Sequence, residues 1–135
     1  MQIGIDLGAT KIEYVVLKDN GDETNRSRID CPKDYSKIIF EIKQIVNNLD
    51  KEFNQTLPVG VCHPGVHSPQ NGLVKNCPNI NWLEKKPFQS DLRKALDREV
   101  FCENDANCFA LSEAVDGAGK GHPVVFGVII GTGTG

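Results

Sequence analysis

The apolar pattern changes period once, near residue 34, and that change restricts the fold more than any other feature of the chain. Before it, Ile3 to Leu7 and Ile12 to Leu17 are β-rich apolar runs, and Asn20-Gly21 marks a hairpin into a third run, Glu23 to Ile29. After it, Ile38, Ile39, Ile42, Ile45, Val46, Leu49 and Phe53 fall at helical spacing, with Asp34 placed to cap the helix. Val59 to Cys62 returns to a short strand and enters a Pro- and Gly-rich loop from Pro64 to Gly72. Leu73-Val74 reads as a short strand, Asn76 to Pro87 as loop, Ser90 as the cap of a helix through Leu96, and Val100 to Cys102 as a strand. A helix follows Glu103-Asn104-Asp105-Ala106-Asn107 to about Val115 and is closed by Gly117, Gly119 and Gly121. Val124 to Ile130 is the last predicted strand, and Gly131-Thr132-Gly133-Thr134-Gly135 turns out of it. Three strands followed by alternating helices and strands is an α/β order, a mixed sheet with helices on its faces. Sites in such folds lie at the carboxyl ends of strands.

Composition removes several function classes. The 135 residues suit one domain, or one lobe of something larger, and 39% hydrophobic content is enough for a packed core. A net charge of −3 offers no basic field to nucleic acid or to an acidic membrane surface. The longest apolar stretch, Val124 to Ile130, is too short to span a bilayer. Met1-Gln2-Ile3-Gly4 opens a strand pattern with no charged leader and no small-residue cleavage site, so a cytoplasmic location is expected. The five cysteines, at 31, 62, 77, 102 and 108, are an odd number with no CxxC pair, which reads as reduced, mostly buried thiols. His63 and His67 are separated by Pro64-Gly65, which prevents the helix that would align them, so no metal site is expected there. Trp82 is expected to anchor a loop, Glu84-Lys85-Lys86 to be a solvated surface, and Phe40 and Phe53 to be helix-face residues.

Three turns fall at strand ends. Asp6-Leu7-Gly8-Ala9-Thr10-Lys11 can approach a polyphosphate with backbone N–H groups and donate from Thr10 and Lys11, while Asp6 can hold a hydrated magnesium ion. The same residues also suit an ordinary β-hairpin turn. In Glu103-Asn104-Asp105-Ala106-Asn107, Asp105 can accept the proton of a hydroxyl attacking phosphorus, with amides beside it to bind other hydroxyls. Asn or Asp before an Ala-rich helix is equally a plain N-cap. Gly131-Thr132-Gly133-Thr134-Gly135 suits a phosphate loop, a tight turn or the start of a dinucleotide-binding turn.

In their joint order, DxGxTK at the start, NDAN around position 105 and GTGTG at the end resemble the ROK family of sugar kinases, and the similarity extends across the whole chain. His63-Pro64-Gly65 stands where the family has a sugar-side Pro-Gly loop. Val74-Lys75-Asn76 with Trp82 resembles its substrate loop, and Ala110 to Ala114 its post-NDAN helix. Bacterial fructokinases and N-acetylglucosamine kinases look nearest. The Val-Lys-Asn run with Ser112-Glu113-Ala114-Val115-Asp116-Gly117 leans to fructokinase, with N-acetylglucosamine kinase or glucokinase as the alternatives.

The resemblance implies an actin-like, ribonuclease-H-type two-lobed fold with ATP in the cleft. Residues 1–123 would form the first lobe and 124–135 the start of a second, the end at Gly135 reading as a truncation. It makes Asp105 the catalytic base. Gly65, Asn76, Asn104 and Asp105 would contact the sugar. Gly8, Ala9, Thr10 and Lys11, with Gly131, Thr132 and Gly133, would line the phosphates, and Asp6 would hold magnesium through water. Ala9, where many members have glycine, fits if it keeps negative φ; His63 stands where a smaller residue is common. The family's Glu-x-Gly-His sugar motif and cysteine-rich zinc motif would lie beyond residue 135, so zinc is expected only there. The partners implied are a sugar and ATP, with a homodimer at full length, and residues 1–135 alone are expected to be inactive. A sugar-sensing regulator of the same family would carry a helix-turn-helix before the core, for which a motif at residue 6 leaves no room. A chaperone-type ATPase shares Gly-Ile-Asp-Leu-Gly but not NDAN, and a Rossmann dehydrogenase would open a long helix after its first strand.

Overall fold

The computed structural model describes residues 1–77 and 80–129. Strands β1 (Gln2–Leu7), β2 (Lys11–Leu17) and β3 (Glu23–Asp30) form the expected antiparallel meander. Helix α1 (Tyr35–Phe53) follows, then β4 (Val59–His63), β5 (Val66–His67), β6 (Val74–Lys75), α2 (Phe88–Leu96), β7 (Val100–Asn104) and α3 (Asp105–Val115). Five strands make one sheet in the order β3-β2-β1-β4-β7, in which β4 runs parallel to both β1 and β7. The chain is therefore the mixed α/β sheet that the order of periods predicts.

Strand alternation gives the sheet two unlike faces. Ile3, Ile5, Leu7, Ile12, Val16, Val59, Val61 and Val100 are buried on one of them. Ile38, Ile42, Ile45, Val46 and Leu49 of α1 and Phe88, Leu92 and Leu96 of α2 belong to the same core. Asp34 caps α1, accepting from the Lys37 N–H at 2.9 Å, as its position predicts. The helix stops at Asn54, whose left-handed φ of 49° turns the chain toward β4. The opposite face carries Gly4, Asp6, Glu13, Val15, Gly60, Cys62, Phe101 and Glu103 along an open concavity of about 990 Å³.

Several local expectations are corrected. The Pro64–Gly72 loop contains β5, which pairs with β6, and β6 begins at Val74 rather than Leu73. Helix α2 begins at Phe88 behind Pro87, so Ser90 lies inside the first turn and caps nothing; the fully buried Phe88 sets the helix start. Strand β7 extends to Asn104, because β4 pairs with it as far as His63. Val124 to Ile129 form no strand among the described residues. An apolar run makes a strand only where an edge is available to pair with, and here the backbone passes α3, with Gly127 against Phe109 and Ala110. Ile130 and the glycine-threonine run after it lie outside the described residues.

All five cysteines are free, but only Cys31 and Cys77 are buried. Glu84 is not simply solvated: its carboxylate accepts from the Cys77 N–H at 3.0 Å. Trp82 packs on the core as expected, and Phe40 lies on the exposed face of α1. Among the described residues no helix is long and apolar enough to cross a membrane.

One ion pair ties the ends of α1 and α2 to the sheet. Arg98 and Asp50, both with side chains only 16% exposed, meet through two hydrogen bonds. Arg98 Nη1 also donates to the Leu57 carbonyl at 2.9 Å, and the Leu57 N–H donates to Asp50 Oδ1 at 3.0 Å. Burial acts to raise the Asp50 pKa, but the guanidinium and the Leu57 N–H outweigh it and hold the carboxyl below its usual range. A depressed carboxyl pKa contributes stability that is complete above the unfolded value, about 3.9, and is lost as pH falls through the folded one. Asp50→Ala should therefore cost about 3 kcal/mol near neutral pH, since it strands a largely buried guanidinium. In urea unfolding the difference from the unmodified chain should narrow below about pH 4.

Candidate active site

Parallel pairing decides which residues can meet. Asp6 stands opposite Cys62 in the β1–β4 ladder, and Cys62 stands opposite Glu103 in the β4–β7 ladder. His63 is opposite Asn104 one step further on. The chain leaves all three strands at the same edge, so Gly8, Gly65 and Asp105 emerge side by side. The structure thus gathers the DLGATK turn, the Pro-Gly loop and the NDAN segment, which are far apart in sequence.

The first turn is a tight hairpin, closed by Gly8 N–H donating to the Lys11 carbonyl at 2.9 Å. Ala9 is not among the residues with positive φ, so alanine is accommodated there. Ala9, Thr10 and Lys11 are exposed, and the Lys11 ammonium pairs with Asp30. The hairpin reading and the phosphate reading are thus compatible: the turn is ordinary in form and open at its tip.

Asn104 is the N-cap of α3. Its Oδ1 accepts from the Ala106 and Asn107 N–H groups at 3.0 and 3.2 Å. Its Nδ2 donates to the Gly65 carbonyl at 2.9 Å and to Asp105 Oδ1 at 3.0 Å. This single amide therefore joins the Pro-Gly loop to the carboxylate beside it. Asp105 is the first residue of α3, exposed, with Oδ1 also accepting from the Ala106 N–H at 2.8 Å. Gly65 has φ +80°, and a Cβ there would come 2.6 Å from the Lys75 carbonyl oxygen. The loop accepts only glycine for two reasons, backbone conformation and the β6 strand against it. Asn76 follows that strand, exposed and with φ +63°.

The floor of the concavity is acidic. Asp6, Glu13, Glu103 and Asp105 all line it. The Asp6 pKa is raised, first by desolvation under the surrounding walls, against the lowering effect of the Cys62 thiol, and then by the charges of Asp105 and Glu13. Glu103 is held low by the Asn104 N–H and the Asn107 amide. Cys62 is pushed up to about 12, chiefly by burial, so it remains a thiol and is no nucleophile at neutral pH. Crowded carboxylates whose repulsion is felt at Asp6, beside an open glycine turn, are a donor set that suits a hard cation. Among the described residues no three His, Cys, Asp or Glu side chains cluster to bind a metal directly.

Two features escaped the sequence reading. Glu103 lines the site and is tied to Asn107 at 3.1 Å. The Pro64-Gly65 turn, with Gly65 at φ +80°, also brings His63 at the end of β4 and His67 in β5 together, Nε2 to Nε2 at 3.0 Å. The Pro-Gly pair between them is the signal that could have pointed to it. Gly131, Thr132 and Gly133 lie outside the described residues.

The family model for the ROK family matches residues 2–135. N-acetyl-D-glucosamine kinases of Haemophilus influenzae and Vibrio cholerae are 42% and 39% identical to this chain over all of it, covering 44% and 45% of those proteins. The chain thus spans less than half the length of these curated relatives. Among solved structures, an inorganic polyphosphate/ATP-glucomannokinase from Arthrobacter sp. strain KM aligns with a TM-score of 0.81 at 28% identity, over 99% of this chain and 56% of that one. A ROK family glucokinase from Streptomyces griseus, in complex with glucose and AMPPNP, aligns with a TM-score of 0.77 at 27% identity, over 96% and 44%. The fold is accordingly that of the N-terminal region of ROK kinases. The relatives do not support the leaning toward fructokinase. Its two short runs serve local structure here, since Val74-Lys75 pairs with β5 and Glu113 closes α3 by accepting from the Ala118 N–H at 2.8 Å. Matched by its model over nearly every residue, the chain belongs to the ROK family.

Proposed function

We propose that this chain is the sugar-side half of an ATP-dependent kinase for an amino sugar, with N-acetyl-D-glucosamine as the acceptor. The observation that carries the reading is the alignment of Gly8, Gly65 and Asn104-Asp105 at one sheet edge by the β1–β4–β7 ladders. The naming of the relatives as N-acetyl-D-glucosamine kinases supports the choice of sugar. Glucose is the second reading, favoured by the likeness to a glucokinase in complex with glucose and AMPPNP. Residues 1–123 are read as the first lobe and 124–135 as the start of the second.

Asp105 accepts the proton of the sugar hydroxyl as that oxygen attacks the γ-phosphorus of ATP. Asn104 holds Asp105 and the Gly65 carbonyl in register, and it reaches a sugar hydroxyl by exchanging one of these bonds. Gly65 and Asn76 shape the wall against the sugar ring. The turn from Gly8 to Lys11 meets the phosphates, with Thr10 and Lys11 as donors; Lys11 leaves Asp30 to do so. Asp6 would hold magnesium through water, and such an ion would supply positive charge beside the phosphates of ATP.

In the complete protein, coupled ATP consumption should be highest with N-acetylglucosamine among N-acetylglucosamine, glucose, mannose and fructose. Asp105→Asn should lower kcat by at least about 10²-fold, the scale of general base catalysis. Near-normal turnover in that variant would reject Asp105 as the base. Gly65→Ala should raise the KM for sugar much more than that for ATP, because the forced shift lies in the Pro-Gly loop. Residues 1–135 expressed alone should show no turnover, since they supply one wall of the cleft.

A further inference from the structure

We propose that His63 and His67 share a single proton between their Nε2 atoms, and that this proton sets the position of the Pro64-Gly65 loop that meets the sugar. His63 is completely buried and His67 only partly. The tautomers follow from their partners. His63 Nδ1 lies 2.8 Å from the Pro64 carbonyl oxygen, and His67 Nδ1 lies 3.1 Å from that of Gly72. A carbonyl oxygen only accepts, so each Nδ1 must carry a hydrogen and donate. In two neutral rings both Nε2 atoms are then bare lone pairs, yet they face each other at 3.0 Å.

One added proton resolves the conflict, because it makes Nε2–H···Nε2 a charge-assisted hydrogen bond. Two added protons set cation against cation. Removing the last proton forces one ring to change tautomer and give up its carbonyl. All three contacts coexist only in the singly protonated pair.

The surroundings suit one positive charge. The negative charge of Glu103 in β7 acts on both rings, and that of Asp105 at the start of α3 acts on His63. The uncharged Phe88 ring of α2 packs against His63 nearly perpendicular to it, ring centres 5.5 Å apart. Burial pushes the His63 pKa down, so His63 Nε2 is the accepting side of the shared bond. The pair brackets the loop: His63 holds Pro64, His67 reaches across to Gly72, and Asn104 grips Gly65 between them. Both histidines are positioning residues. Their effect on the sugar rests on the kinase reading above, whereas the shared proton does not.

The test is a pH titration of the imidazole nitrogens and the Gly65 amide by nitrogen-15 NMR on the full chain with a chelator present. The two rings should titrate as one coupled unit in two separated steps, and the Gly65 amide should shift with the upper step. In His67→Gln a neutral side-chain N–H replaces the shared proton. The upper step and the movement of Gly65 should both vanish while the fold stays intact. Independent single titrations of the two rings, or a Gly65 amide that responds equally in His67→Gln, would overturn the proposal. So would coupling that appears only when zinc is added, which would make the pair a metal site. In the complete kinase, the sugar KM should rise several-fold as the upper step is passed, with kcat little changed, and the KM of His67→Gln should be flat over that range. A protein that phosphorylates no sugar would reject the kinase reading while leaving the spectra to decide the proton.

Discussion

The hydrogen-bond ladders that join β1, β4 and β7 in parallel are the constraint on which the site depends. Parallel strands leave the sheet at one edge, and the register sets how far each projects. Asp6, Cys62 and Glu103 form one row across the sheet, and His63 and Asn104 begin the next. A slip of one residue in either ladder would turn the carboxylates into the core and the valines outward. The buried alternation of Ile3, Ile5 and Leu7 with Val59, Val61 and Val100 opposes any such slip, so the same packing that stabilises the fold also aligns the chemistry.

Asn104 converts that alignment into a joined unit. Its amide uses both hydrogens and both acceptor positions, on Gly65, Asp105, Ala106 and Asn107. Helix capping and site assembly are here a single event, so the plain N-cap and the functional reading of NDAN do not compete. The turn from Gly8 to Lys11 opens beside the acidic floor of the concavity. Asp6 carries the cost of its desolvation, and after that of its acidic neighbours, in a raised pKa. The edge at β7 and α3 is left strongly apolar in contrast, with Phe101 and Leu111 well exposed.

Much of this was legible from local pattern. The α1 stripe, its Asp34 cap, the Asn20-Gly21 hairpin and the turns after β1 and β7 all depend on residues close in sequence, whose preferences act without long-range help. The errors share a cause. Ser90 has the chemistry of a cap, but the buried Phe88 starts α2 earlier. Val124 to Ile129 is as apolar as any strand of the sheet, yet strand formation needs a partner edge, which no local pattern reveals. Glu84 reads as one charge in a solvated run and instead fixes the Cys77 loop.

His63 and His67 mark the boundary most clearly. From sequence, Pro64-Gly65 between them rules out a helix, and with it any alignment of the two rings. That inference about the helix holds, but the Pro64-Gly65 turn between β4 and β5 brings the rings into contact by another route. The sequence by itself determined the elements from β1 to β4, the buried stripe of α1 and the turns after β1 and β7, because propensity, capping and periodicity are local forces. Tertiary structure alone decided strand order and register, the clamp of Asn104 on Gly65 and the contact between the two imidazoles. Each of these is a meeting of groups distant along the chain or, for the imidazoles, folded back over the Pro64-Gly65 turn, and only the packed whole sets such distances.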